Sequence, residues 1–482
     1  MYDPVSTTLS PGNNCWRIET AHRATVIVDA AEYFRFARAA MLKAQKRIML
    51  VGWDFDARIE LRGVEHDGGP ATVGEFMKWL VENNSELEVF LLRWDMGALK
   101  TFFQGSTILT VLKWMRHPRI HTKLDGSHPT GASHHQKIVV IDDCFAFCGG
   151  IDMTSDRWDT RAHLDDDPGR RRPNGKSYGP WHDATCALQG PVAAALGDLC
   201  RDRWERAGCE PLQPVDGVTD CWPDDLEVHF ENVDVAISRA EPTMPDRSGV
   251  LEVENLYLDQ IATAKRSIYA ENQYFASRRI AEAIAKRLDS DDCPEIVLIE
   301  PVSSEGWLQP IAMDTARARL IQALRQRDRH NRLRVFHPHT TGGEAIYIHA
   351  KILIVDDTIL RVGSSNMNNR SMRLDTECDV TIDAAQGDNA ERVGAIRGVR
   401  DRLIAEHLGV ALSDVSAIIT KTGSIIAPFD RYSGNRIRPY ETPNLSEVEK
   451  WLADNEVLDP EGPEELFEQF NKRGLFRQSL RR

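Results

Sequence analysis

Apolar positions along the chain follow two alternating rhythms. Over residues 31–46 they recur at helical spacing, and residues 48–52 form a continuous apolar run, which predicts an amphipathic helix leading into a buried strand. The same succession returns over residues 251–265 and 267–270. A helical run at 73–81 precedes a β-rich run at 87–92, and 280–288 precedes 296–299 in the same way. A helix around 108–115 with a strand at 120–124 is matched by a helix around 312–325 with a strand at 333–336. Strands alternating with helices predict an α/β layer architecture.

The correspondence is an internal repeat. AQKRIMLVGWDF, from Ala44, aligns with AKRSIYAENQYF, from Ala264. HHQKIVVIDDCFAFCGGIDM, from His134, aligns with IHAKILIVDDTILRVGSSNM, from Ile348, so His135 meets His349, Asp142 meets Asp356 and Gly149 meets Gly363. Each copy then closes with a strand and a long helix, at 193–206 and 392–407. Two similar α/β halves thus form a pseudo-dimer in one chain: 1–209, a crossover over 210–250, and 251–423. The crossover is proline-rich and polar, and is expected to carry the first edge strand of the second copy at 226–237. From 424 to 482 periodicity fades and acidic residues accumulate, which predicts a surface-hugging tail with a short helix near 445–452.

Each copy carries His-x-Lys, four residues, then Asp: His135, Lys137, Asp142 and His349, Lys351, Asp356. Side chains two apart on a strand share a face, so each motif presents one imidazole and one ammonium together. The Asp falls at the strand's far end on the opposite face, in a supporting position. One such motif can arise by chance; two, at matching positions of an independently detected repeat, do not. Two ammonium groups around a phosphoryl centre stabilise its non-bridging oxygens. A neutral imidazole can attack phosphorus while a protonated one protonates the leaving oxygen. The two must hold opposite protonation states at one pH, which predicts a bell-shaped rate profile. Neither an HExxH nor a carboxylate cluster is evident, so no metal and no other cofactor is expected.

Composition narrows the class. The 482 residues carry a formal charge of −14, with 42% hydrophobic and 27% charged residues, as in a globular enzyme with a sizeable core. The acidic balance lends no electrostatic grip on long nucleic acid, so none is expected as a partner. No run approaches the roughly 20 apolar residues of a membrane span, and no leader pattern is seen. The expected location is cytoplasmic or peripheral to a membrane, with signal-less secretion also compatible. Nine scattered cysteines are read as reduced thiols.

The paired blocks resemble the HKD motifs of the phospholipase D superfamily, and the match is closest to its eukaryotic-type members. The doubled histidine, the trailing Arg157, Trp158 and Asp159, the run from Asn369 to Met372, ENQYF at Glu271 and PWHD ending at Asp183 all follow that pattern. The resemblance covers roughly residues 30–410 and lacks the lipid-targeting modules that precede the catalytic region in many eukaryotic members. It implies two sandwiched α/β halves with the active site between them, and a ping-pong reaction through a phosphohistidine. By that resemblance His135 is the nucleophile, His349 the general acid, and Lys137 and Lys351 hold phosphate oxygens. Asn366 and Ser364 of GSSNM are implied on the substrate side; Asp152, which stands in place of the first asparagine, is a departure shared with the eukaryotic-type subset. Asp183 and Glu377 match acids that, by the same resemblance, orient the histidines from across the seam.

A polar insertion over 154–178 contains GRRRPNGK, which can meet anionic headgroups or simply lie solvated. Trp158 and Trp181 flank it; either can touch a choline-like cation or acyl chains, or serve in packing, the latter favoured for Trp181. The implied reaction is cleavage of the distal phosphodiester of a phosphatidylcholine-like lipid at a membrane or micelle surface, by a monomer in peripheral membrane contact. Transphosphatidylation accompanies it where an alcohol replaces water. Cardiolipin synthase-type transfer and a metal-independent nuclease are the alternatives within the superfamily. A catalytically dead interaction protein would have lost a motif histidine or lysine.

Overall fold

The computed structural model describes residues 7–61, 67–95, 114, 116–217, 220–304, 313–434 and 436–443. The helices read near 108–115 and 445–452 lie outside them, apart from Trp114.

In the first half the strands are β1 (Arg17–Val28), β2 (Arg47–Gly52), β3 (Glu88–Trp94), β4 (Ile120–Asp125), β5 (Ile138–Ile141), β6 (Phe145–Gly149), β7 (Trp181–His182) and β8 (Ala184–Gln189). The second half has β9 (Phe230–Glu241), β10 (Val250–Leu251), β11 (Ser267–Glu271), β12 (Glu295–Ile299), β13 (Leu333–Pro338), β14 (Tyr347–Ile348), β15 (Ile352–Val355), β16 (Ile359–Gly363), β17 (Glu377–Asp383) and β18 (Ile437–Pro439). The first half runs β1-β8-β6-β5-β2-β3-β4 and the second β9-β17-β16-β15-β11-β12-β13-β18, so one order is used twice.

β1 and β9 pair antiparallel, Arg17 against Ile237 through Ala24 against Phe230, and fuse the half-sheets into one. The strand expected at the edge of the second copy is therefore interior. Each half has one long strand with unpaired backbone groups, and each satisfies them on the other. β1, its counterpart, had no reading in the sequence because its first residues are half-exposed and polar.

The half-sheets also face each other. One core joins Ile138, Val140 and Cys186 to Ile352, Val362 and Val380, with the helices Pro191–Arg206 and Val393–Leu408 packed on it. Two further cores lie outside it, under Ala30–Leu42 and Val73–Asn83 in the first half and under Glu252–Thr263 and Arg278–Leu288 in the second. Such continuous apolar strands, covered on both faces, are what the repeat encodes.

The segment from 424 does more than hug the surface: Phe429 and Ile437 are fully buried, and β18 extends the sheet beyond β13. All nine cysteines are free thiols; Cys148 and Cys378 approach to 3.7 Å across the seam. Among the described residues no single helix is long and apolar enough to cross a membrane.

Candidate active site

The seam brings the two motifs together. His135 leads into β5 and His349 into β15, and each is fixed by the opposite half. The His135 backbone N–H donates to Thr376 O at 2.9 Å, and that of His349 to His182 O at 2.8 Å. His135 Nδ1 lies 3.0 Å from Glu377 Oε2, and His349 Nδ1 lies 2.6 Å from Asp183 Oδ2. Each contact leaves Nε2 as the working atom, since the carboxylate accepts the Nδ1 proton.

Both carboxylates are fully buried. Glu377 accepts further bonds from Ser364 Oγ and, at 2.6 Å, from Ser371 Oγ; Asp183 accepts Ala184 N–H at 2.8 Å. Burial pushes both acids up in pKa, most strongly Glu377, opposed by nearby lysine charge. Burial and the same lysines hold both imidazoles well below 6.5. Lys351 lowers His135 and Lys137 lowers His349, so each motif lies in the other's field.

The lysines are not equivalent. Lys137 Nζ donates to His135 O at 2.8 Å and pairs with Asp152 at 3.2 Å. Lys351 Nζ donates to His349 O and, at 3.2 Å, to Gln273 Oε1, while Gln273 Nε2 donates to Tyr347 Oη at 2.9 Å. Burial brings Lys351 down to about 7. Asn366 is 4% exposed and its Oδ1 has no hydrogen-bond partner.

Asp142 and Asp356 stay out of this cluster. Each begins a turn of two left-handed residues, Asp142 and Asp143 (φ 48° and 50°) or Asp356 and Asp357 (φ 54° and 62°). The Asp142 carboxylate accepts the backbone N–H groups of Gln45, Lys46 and Arg47 at 2.7–2.8 Å, and Asp356 those of Lys265, Arg266 and Ser267 at the same distances. They tie the hairpin to the neighbouring strand, as their place in the motif suggested.

Two implied substrate contacts stand elsewhere. Ser364 is fully buried and spends its hydroxyl on Glu377. Trp158 lines a groove of about 410 Å³ with Phe34, Arg58 and Tyr178, whose lining includes neither motif histidine. Trp181, read as a packing residue, is the tryptophan beside the chemistry: its ring stacks on Tyr347 at 4.6 Å and lies 5.2 Å from His349. Strand alternation could not reveal this, because β7 pairs with β14 in a separate two-stranded ribbon across the seam.

The sequence reading also missed a buried cluster just behind Asp183. Asp29, His163, His182 and Glu406 place one ligand atom each within 4.8 Å of one another, as do His182, Glu271 and His407. These sets could hold a cation, which corrects the expectation that no metal-ligand cluster exists. Here they are joined as ion pairs, such as His182–Glu271 at 2.7 Å and His407–Glu271 at 2.9 Å. Burial disfavours charge on His163, but Asp29, Asp159 and Glu406 raise it to about 9. The cluster draws on five distant segments, so no local pattern announces it.

The chain is similar to known proteins in sequence and in fold. The family model described as Phospholipase D matches residues 40–297, and one described as Cardiolipin synthase, PLD-like domain, matches 257–393. Phospholipase D alpha 1 of Nicotiana tabacum is 26% identical over 513 residues, covering 77% of this chain and 63% of that protein. The Carica papaya protein of the same name is 26% identical over 519 residues, with the same coverage. The chain thus spans under two thirds of the length of these curated relatives. In fold it is similar to the phosphatidylserine synthase of Haemophilus influenzae, with a TM-score of 0.53 and 13% identity over 85% of this chain and 95% of that one. With a family model spanning more than half of its length and both motifs meeting at one seam, the chain belongs to the phospholipase D family.

Proposed function

We propose that the protein cleaves the distal phosphodiester of glycerophospholipids, giving phosphatidic acid and a free alcohol. The observation that carries this is the crossed pair of dyads, His135–Glu377 and His349–Asp183, with a lysine beside each. Held neutral, with Nδ1–H given to Glu377, His135 presents a lone pair at Nε2 to phosphorus. Lys137, Lys351 and the Asn366 amide meet the charge that builds on the phosphoryl oxygens. His349 takes up a proton as the anionic substrate arrives, gives it to the departing alkoxide, and then draws one from the incoming water or alcohol. The assignment of His135 as nucleophile rests on the family resemblance.

The same intermediate supports a second reading, phosphatidyl transfer to an alcohol, which the cardiolipin synthase-type model over 257–393 favours. Peripheral contact of a monomer with a lipid surface belongs to either.

The test is phosphatidylcholine vesicles with ethanol, in parallel with linear DNA. Phosphatidylethanol and phosphatidic acid are expected from the native chain, and neither from His135→Ala. The native chain, quenched with denaturant during turnover of labelled lipid, is expected to carry phosphatidyl label on the peptide containing His135. Degraded DNA with intact lipid would overturn the proposal.

A further inference from the structure

Arg157 opens the insertion just beyond the first motif, where Asp156 turns the backbone through a left-handed residue (φ 64°). Three other arginines of that loop have a carboxylate: Arg161 meets Glu406 at 2.6 Å, Arg170 meets Asp159 at 3.3 Å and Arg172 meets Asp156 at 2.8 Å, while the exposed Arg171 donates to Gly175 O at 3.2 Å. Among the described residues none pairs with Arg157. Its Nη1 reaches only the Asp156 carbonyl, at 3.3 Å, and its Nε is buried without a hydrogen-bond partner. Its guanidinium lies 4.3 Å over the ring of Trp181, the ring that sits against His349.

A half-buried guanidinium with an unsatisfied donor and no counter-ion is costly unless an anion completes it. Stacking on an aromatic face fixes the plane of the group and leaves its edge for hydrogen bonds. The charge is felt at the site, since Arg157 lowers the pKa values of His349, Asp183 and Lys351. The acids nearby are committed elsewhere: Asp183 to His349 and Ala184, Asp156 to Arg172, and Asp159 to His163 and Arg170.

We propose that Arg157 is a third phosphate-binding cation, its planar edge meeting phosphoryl oxygens on the His349 side while its face stays on Trp181. The proposal rests on the reading of the seam as a phosphoryl site. It adds a two-pronged contact to the point charges of Lys137 and Lys351, and would set the orientation of the phosphoryl group as well as its affinity.

Binding of inorganic phosphate to the full chain, followed by 31P NMR titration, tests this without assuming a lipid. Arg157→Met keeps an apolar stem on Trp181 and is expected to weaken phosphate binding by about tenfold or more, as loss of a charge-assisted bond would. Arg157→Lys keeps the charge, loses the fork, and is expected to weaken it by about threefold. Lys351→Met is the reference. If Lys351→Met weakens binding and Arg157→Met leaves it within about twofold of native, Arg157 is only a partner for Trp181 and the proposal fails. If native protein and Lys351→Met both bind no phosphate, the phosphoryl reading of the site fails, and this proposal with it. Should the Met variant not fold, the Lys variant decides: unchanged affinity overturns the assignment and the expected loss supports it.

Discussion

Replacing Asp183 with asparagine removes one charge and almost no volume from the centre of the seam. The carboxylate has two committed oxygens, Oδ1 on Ala184 N–H at 2.8 Å and Oδ2 on His349 Nδ1 at 2.6 Å. An amide can satisfy only one of these donors, and its NH2 faces the other. The backbone N–H cannot change its role, whereas an imidazole can shift its proton. The amide oxygen therefore turns to Ala184, and the NH2 obliges Nδ1 of His349 to accept. His349 becomes locked with its proton on Nε2 and can no longer be stabilised as an imidazolium. Loss of a charge-assisted bond of about 1.5–3 kcal/mol corresponds to about a 10- to 160-fold fall in rate. The tautomer change deepens this towards the roughly 10⁴-fold seen for the same substitution in a Ser-His-Asp triad. The assay is kcat/KM on mixed micelles, with thermal unfolding to confirm a native fold. A folded Asp183→Asn variant that loses less than about threefold would refute the assignment of Asp183 as the partner of His349.

Other perturbations separate chemistry from scaffold. A Cβ added at Gly150 would stand 2.2 Å from Asp183 Oδ1, so Gly150→Ala should move an unmutated acid and cost about 100-fold in turnover; full activity would show that the carboxylate tolerates displacement. Asp142→Ala strands three backbone donors behind a 2% exposed side chain, and should lower unfolding free energy in urea by about 2–4 kcal/mol; the more exposed Asp356 should matter less, and both variants should keep their pH profiles. Because His349 is held below 6.5 in the free protein and must be protonated to act, the alkaline limb of kcat/KM should fall below 6.5. Bound anionic substrate raises that pKa, so the alkaline limb of kcat should lie at higher pH than that of kcat/KM; the reverse order would contradict the acid role.

The repeat and both motifs were legible because continuous apolar runs, helical spacing and the fixed His-x-Lys interval are local properties. The pairing of Asp183 and Glu377 with histidines of the opposite half was legible only by resemblance. Physically it depends on β1 meeting β9, and β1 carries too many half-exposed polar residues to declare itself. Which tryptophan lies beside the histidines was not legible for a related reason. Trp158 stands near the start of the insertion and Trp181 just past its end, and only the parallel ribbon of β7 with β14 decides that Trp181 lies beside His349. The cluster of Asp29, His163, His182, Glu271, Glu406 and His407 left no trace, since burying so many charges needs partners that no window of sequence contains.

The borrowed carboxylates bear on what the duplication permits. A chain reduced to its first copy and paired with itself would set Asp183 against His135, one methylene shorter than the glutamate that imidazole now meets. Two second copies would press Glu377 on His349, where the present contact has room for an aspartate at 2.6 Å. Alike in backbone, the copies have diverged past interchange, and each completes only the other.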